Sequence, residues 1–291
     1  MRTGRLMART VESAGHVAVW VGLYMAGVVA AVSVLADLQP DVRALVAAGC
    51  TASGAYLFDR VKLRDAWMDR ADRLAHPRRF GYLFGIRHAV RIAAFTLGAI
   101  GSVCAFQIHP VLAAVTAGAF VGVVVYAGLP RAVYAAMRTK RPKDVLVVKN
   151  VAVATSMTAL GVAFVGVPLL AQHEPFAVAG AMAVPAVIVF VYVLVDAMLC
   201  DLDDRLADER FGTATLPVRA GPIATWWVAL IVNAALVVGA VPLNAHAAWF
   251  GTLMLASLIV LAVARPRRVR DLVDLRLPVC AAVALGAGVL V

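Results

Sequence analysis

Nine apolar stretches recur along this chain, each close to the ~20 residues an α-helix needs to cross a ~30 Å hydrocarbon layer. They fall at about 14–36, 41–58, 84–106, 109–129, 145–170, 175–199, 222–242, 246–264 and 274–291, bounded by charged residues or by Pro and Gly. Inside a bilayer each backbone N–H and C=O needs an internal partner, and helices supply one for every residue. The expected fold class is therefore an all-α integral membrane protein, a bundle of nine transmembrane helices forming a single polytopic domain over residues 1–291. With 63% hydrophobic residues and a mean hydropathy of +0.87, an ordinary soluble globule is excluded. The first apolar segment is too long for a removable signal peptide and is followed by many more, so none is expected.

The charges distribute as this topology requires. Of the 27 Lys and Arg residues, all but Arg43 lie before the first span, in the connectors after spans 2, 4, 6 and 8, or, as Arg87, Arg91, Lys149 and Arg276 do, in the opening turns of the span that follows such a connector. Such asymmetry places the N-terminus and those four connectors on the cytoplasmic face of the cell (inner) membrane and leaves the C-terminus outside. The formal charge of +10 comes with no soluble basic domain and no zinc-finger spacing, so nucleic acid is not an expected partner. Membrane lipids are, because basic side chains at this face attract anionic headgroups. No pattern in the chain bears on oligomeric state.

Ten of the 17 acidic residues gather in two places on the cytoplasmic side. Around the end of span 6 stand Asp196, Asp201, Asp203, Asp204, Asp208 and Glu209. Asp201, Asp204 and Asp208 are spaced by three and then four residues, which on a helix confines them to an arc of roughly 60°. The connector after span 2 carries Asp59, Asp65, Asp69 and Asp72. If helical, it places the last three on a similar arc of roughly 60°. Converging carboxylates repel unless a cation lies between them, and oxygen ligands favour Mg²⁺, which keeps several waters and takes one or two carboxylates plus substrate phosphates. Two plainer readings compete: a solvated acidic loop, and surface ion pairs with the interleaved Arg60, Arg64, Arg70 and Arg73. Asp196 is a separate case, since an acid about a turn inside a span is costly against lipid and should face the bundle interior.

The connector after span 4 is basic, with Arg138, Lys140, Arg141, Lys143 and Lys149. Cations suit a diphosphate. Lys149 and Asn150, at the entry to span 5, are close enough to the interface to reach a headgroup. Each of these cations is also an ordinary topology determinant.

The residues Asp201, Asp204, Asp208, Gly212, Thr215-Leu216-Pro217-Val218 and Gly221 match the pattern D-x2-D-x3-D-x3-G-x2-TLPV-x2-G. In this stretch, in length and in span layout, the chain resembles the UbiA superfamily of intramembrane prenyltransferases. Lys143, Asp144, Lys149 and Asn150 are likewise similar to that family's K-D-x4-K-N pattern. The first acidic cluster departs from the usual N-D-x2-D-x3-D, and the Arg-Pro element that follows it is replaced by His76-Pro77-Arg78-Arg79.

The resemblance implies that Asp59, Asp65, Asp69, Asp201, Asp204 and Asp208 bind Mg²⁺ and, through it, a prenyl diphosphate. Asp65, Asp69, Asp204 and Asp208 are then the expected catalytic set. Lys149, Lys143, Lys140, Arg138 and Asn150 are the expected diphosphate contacts, with Asp196 and Asp72 in support. The implied reaction is transfer of an isoprenyl group to a small aromatic or lipid-like acceptor. Capture of the allylic cation by the substrate's own double bonds, a membrane terpene cyclase, is a second reading, and non-catalytic binding or transport of a prenyl lipid a third. The four cysteines show no CxxC spacing, so neither a disulfide nor a zinc site is expected.

Overall fold

The computed structural model describes residues 15–65, 68, 70–128, 148–240, 245–264, 266 and 269–288, with backbone alone for 70–72, 124–128, 240 and 287–288. Among these residues the architecture is entirely helical. In chain order the helices are α1 (Val19–Leu35), α2 (Val42–Val61), α3 (Arg70–Ala75), α4 (Pro77–Gly85), α5 (Arg87–Ile108), α6 (Pro110–Gly128), α7 (Val148–Leu169), α8 (Pro175–Phe211), α9 (Leu216–Arg219), α10 (Gly221–Ala240), α11 (Ala245–Ala264) and α12 (Arg270–Gly288).

Each expected span overlaps one of the longer helices. Five of these, α5, α7, α8, α10 and α11, are long and apolar enough to cross a membrane, and α1 and the first part of α6 are shorter apolar helices. The chain is thus a helical protein with membrane-spanning segments. α12 differs from the expected last span: it begins at Arg270 rather than near 274, and its first two turns hold Arg270, Asp271, Asp274 and Arg276.

α1 is apolar on every side, and a helix of that kind belongs at the centre of a bundle. It packs against α2, α7, α8, α11 and α12, with Val28, Val29, Ala31 and Val32 fully buried. Arg43, the one cation expected on the external side, is paired with Asp41 at 2.7 Å, and the Asp41 carboxylate caps α2 by accepting from the Arg43 N–H.

α8 departs most from expectation. Its acidic stretch was expected in a connector after residue 199, but the helix runs without interruption for 37 residues to Phe211. At 1.5 Å per residue that is about 55 Å, well beyond the ~30 Å hydrocarbon thickness, so its last turns project from the layer. The physical reason is local. No Gly or Pro interrupts residues 200–211, and the first terminator is Gly212, with φ of 70°. There the Gly212 and Thr213 N–H groups close the helix on the carbonyls of Glu209 and Asp208.

The first acidic cluster is not one helical face either. Asp59 lies in α2, Asp65 beyond the end of that helix, and Asp72 in the backbone of α3. Asp69 lies outside the described residues, as do Arg138, Lys140, Arg141, Lys143 and Asp144.

Candidate functional site

The projecting end of α8 gathers partners from three distant parts of the chain. Asp201, only 1% exposed, accepts from Lys149 Nζ at 2.6 Å and from Asn150 Nδ2 at 2.9 Å. Both donors sit in the first turn of α7. The K-N pair and the first acid of the D-x2-D-x3-D pattern, 52 and 51 residues apart, therefore meet, the Asn150 contact buried and the Lys149 contact partly so.

Asp204 is held from two other directions. His76 Nε2 lies 2.6 Å from its Oδ1, and Arg270 donates to Oδ2 at 2.6 Å. Asp203 fixes that arginine's backbone, accepting from the N–H groups of Val269 at 3.1 Å and Arg270 at 3.0 Å. A carboxylate of α8 thus caps the start of α12 and delivers the guanidinium of Arg270 to the neighbouring acid. His76 arrives because α3 packs on α8 and the chain turns directly into α4 at Pro77.

Asp208 completes the arc. It is 8% exposed, and its Oδ2 and the Thr215 hydroxyl are both buried without a hydrogen-bond partner. The rest of the sequence pattern has a structural role. Gly212 and Gly221 adopt φ of 70° and 85°, a region costly for side-chain-bearing residues. Between them Thr215 leads into α9, whose Pro217 is buried. The pattern encodes the helix end and the tight return into α10 as well as the acids.

The two acids of the cluster after α2 whose side chains are described, Asp59 and Asp65, are neutralised by their neighbours. Asp59 pairs with Lys62. Asp65 accepts from Arg91 at 2.6 Å and Arg87 at 2.8 Å, and the Arg91 and Arg87 contacts hold its carboxyl below the usual range. Arg91 also donates to the carbonyls of Lys62 and Val61, so these groups join the end of α2 to the start of α5. The connector reaches the second acid cluster through His76.

Among the described residues no group of three or more His, Cys, Asp or Glu side chains is arranged to hold a metal ion. Mg²⁺, however, is ordinarily held by one or two carboxylates, with waters and phosphate oxygens supplying the rest. The all-oxygen arc and the orphaned Asp208 Oδ2 fit that mode of binding. Asp59 and Asp65 are engaged by Lys62, Arg87 and Arg91, and Asp201 and Asp204 equally by Lys149, His76 and Arg270, so among the described acids of the two clusters Asp208 offers the open carboxylate oxygen, and a metal at the others would have to displace a basic partner.

His76 has a pH signature. Burial lowers its pKa below the ordinary value near 6.5, with Arg79 and Arg270 adding to the effect, against the opposing pull of Asp204. A group whose pKa is depressed by folding contributes stability that is present above the unfolded value and lost as pH falls through the folded one. In metal-free buffer the thermal midpoint is expected to fall between pH 7.5 and 5.5 more steeply in the parent protein than in His76→Gln. Parallel curves would remove this role from His76.

Reasoning from sequence missed Arg270 as a site residue, because its connector carried only a topological meaning and 66 residues separate it from Asp204. The neighbouring His76-Pro77 step was visible only as a departure from a pattern. Asp196 does face the interior, at 2% exposure, but it engages Tyr24 and Arg276 rather than the acid arc.

Fold and site together define a helical membrane protein with a buried acidic and basic cluster at one end of its longest helix. Comparison with protein-family models, curated proteins and solved structures returned no match.

Proposed function

We propose that this chain is a Mg²⁺-dependent intramembrane prenyltransferase, moving an isoprenyl group from a prenyl diphosphate to a small aromatic or lipid-like acceptor. The observation that supports it most is the contact of Lys149 and Asn150 with Asp201. Two patterns far apart in sequence, each bearing the family resemblance, meet beside Asp204 and Asp208. In this reading the chain has nine spans, with the acid arc on the cytoplasmic side, where soluble diphosphates are found, and the C-terminus external.

Asp201, Asp204 and Asp208 would hold the metal, which supplies charge neutralisation to the departing diphosphate. Lys149 and Arg270, already aimed at the arc, orient and neutralise the phosphate oxygens. Lys140, Lys143 and Arg138 belong to the same proposal. The apolar bundle below excludes water, so an acceptor rather than hydroxide captures the allylic cation.

A second reading has its own support. Asp59 and Asp65 are occupied by Lys62, Arg87 and Arg91, which favours a protein that binds a prenyl diphosphate without turning it over. One experiment separates the readings. The purified full chain is incubated with geranylgeranyl diphosphate and Mg²⁺, with and without a panel of phenolic acids. Acceptor-dependent prenylated product supports transfer, and hydrocarbon without acceptor supports cyclisation instead. Saturable Mg²⁺-dependent binding with no product under any condition supports the binding protein. No binding at all sinks every form of the proposal.

A further inference from the structure

A second polar cluster lies deeper in the bundle, further back along α8. Tyr192, Asp196, Cys200 and Asp204 follow one another at four-residue steps and so share one stripe. Eight residues of helix put Asp196 about 12 Å from Asp204 along the axis, toward the interior of the layer. There Arg276 of α12 pairs with Asp196 at 3.1 Å, Tyr24 of α1 donates to the same carboxylate at 3.0 Å, and Asn233 of α10 accepts from Arg276 at 3.3 Å. Four helices converge on one ion pair, and Tyr24, Asp196, Asn233 and Arg276 are each at most 4% exposed.

The cluster is incomplete. Arg276 Nε and Nη1 and the Tyr192 hydroxyl are buried without hydrogen-bond partners, as is Asp196 Oδ1, which faces Arg276 Nη2 at 3.1 Å as an ion pair. Tyr192 is fully buried, and its hydroxyl lies 3.1 Å from where a Cβ on Gly251 would stand, so a glycine of α11 leaves it room. Unsatisfied N–H and O–H groups at this depth are costly, because no bulk water reaches them.

What would satisfy them is constrained by charge and by hydrogen-bond type. Asp196 already balances the guanidinium, so an anion would enter as an uncompensated buried charge. The orphaned groups on Arg276 are donors only, so the partner must offer an acceptor oxygen. The surroundings are hydrocarbon. The geometry points to a second ligand site, at Arg276 and Tyr192, for a neutral, membrane-soluble molecule bearing a carbonyl or ether oxygen. This site is independent of the diphosphate reading, since none of its residues belongs to the acid arc.

The test uses the purified full chain in dodecyl maltoside, with thermal midpoints measured against three probes of matched chain length: 2-tridecanone, tridecane and laurate. The ketone is expected to raise the midpoint by at least about 2 °C over tridecane, with laurate giving no more than tridecane. Tyr192→Phe removes a hydroxyl that has no hydrogen-bond partner in the protein, so its ligand-free midpoint should equal or exceed the parent's while the ketone shift is lost. Arg276→Lys keeps the charge beside Asp196 but removes the orphaned donors, and it too should lose the shift. A ketone effect no larger than that of tridecane, or one retained in both variants, overturns the site. Stronger stabilisation by laurate overturns its neutral character.

Discussion

Replacing Asp204 by Asn is expected to abolish Mg²⁺-dependent turnover of a prenyl diphosphate, by about 10²-fold or more. The amide keeps the shape of the carboxylate and an oxygen for Arg270 but carries no charge. A hard cation loses an anionic oxygen at the middle of the arc, and Arg270 loses the partner that holds it at 2.6 Å. Asp204→Glu, which retains the charge, should recover part of the activity. Because Arg270 is left without its carboxylate in Asp204→Asn, helicity and the thermal midpoint must be recorded alongside turnover. Near-normal activity in a folded Asp204→Asn protein would remove this carboxylate from the mechanism, whatever the behaviour of Asp201 and Asp208.

The largest expected effect on stability belongs to Arg276→Met. The substitution leaves Asp196 buried at 2% exposure with the Tyr24 hydroxyl as its remaining donor. Removing one partner of a buried ion pair typically costs about 3–5 kcal/mol, because the other charge stays where it is. The double variant Asp196→Asn, Arg276→Met should recover most of that loss, since neutral, packed residues are no worse than the pair they replace. Unfolding in mixed micelles of increasing SDS fraction measures both. A single variant within about 1 kcal/mol of the parent would mean that water or lipid headgroups already reach Asp196, contrary to its enclosure.

The two substitutions probe different halves of the same helix. Asp204 tests the projecting end of α8, where charges from α7, α12 and the connector after α2 meet. Arg276 tests the membrane-embedded stripe, where one ion pair joins α1, α8, α10 and α12. If both behave as expected, α8 is the element that supports the chemistry at one end and binds the bundle together lower down.

How much of this was legible beforehand differs by element. The apolar runs could be placed to within a few residues, since ~20 consecutive apolar residues have few alternatives to a helix. The acid arc was legible because its spacing and the bounding Gly212 and Gly221 are local facts. Its setting was not: residues 200–211 looked like a connector by polarity, whereas the absence of Gly or Pro lets α8 run on to Phe211. The cluster after α2 was read as a matching metal-binding face, but Asp59 and Asp65 fall on separate elements and are claimed by Lys62, Arg87 and Arg91.

By itself, then, the order of residues determined that this chain is a helical membrane protein with its acids at the ends of particular segments, because hydrophobicity, helical period and turn residues act over a few residues at a time. Only the tertiary structure decided which charges answer those acids. Lys149, His76, Arg270 and Arg276 come from segments 52, 128, 66 and 80 residues away from the carboxylates they meet. Such pairings depend on which helices are neighbours and how each is rotated, and no local spacing records that.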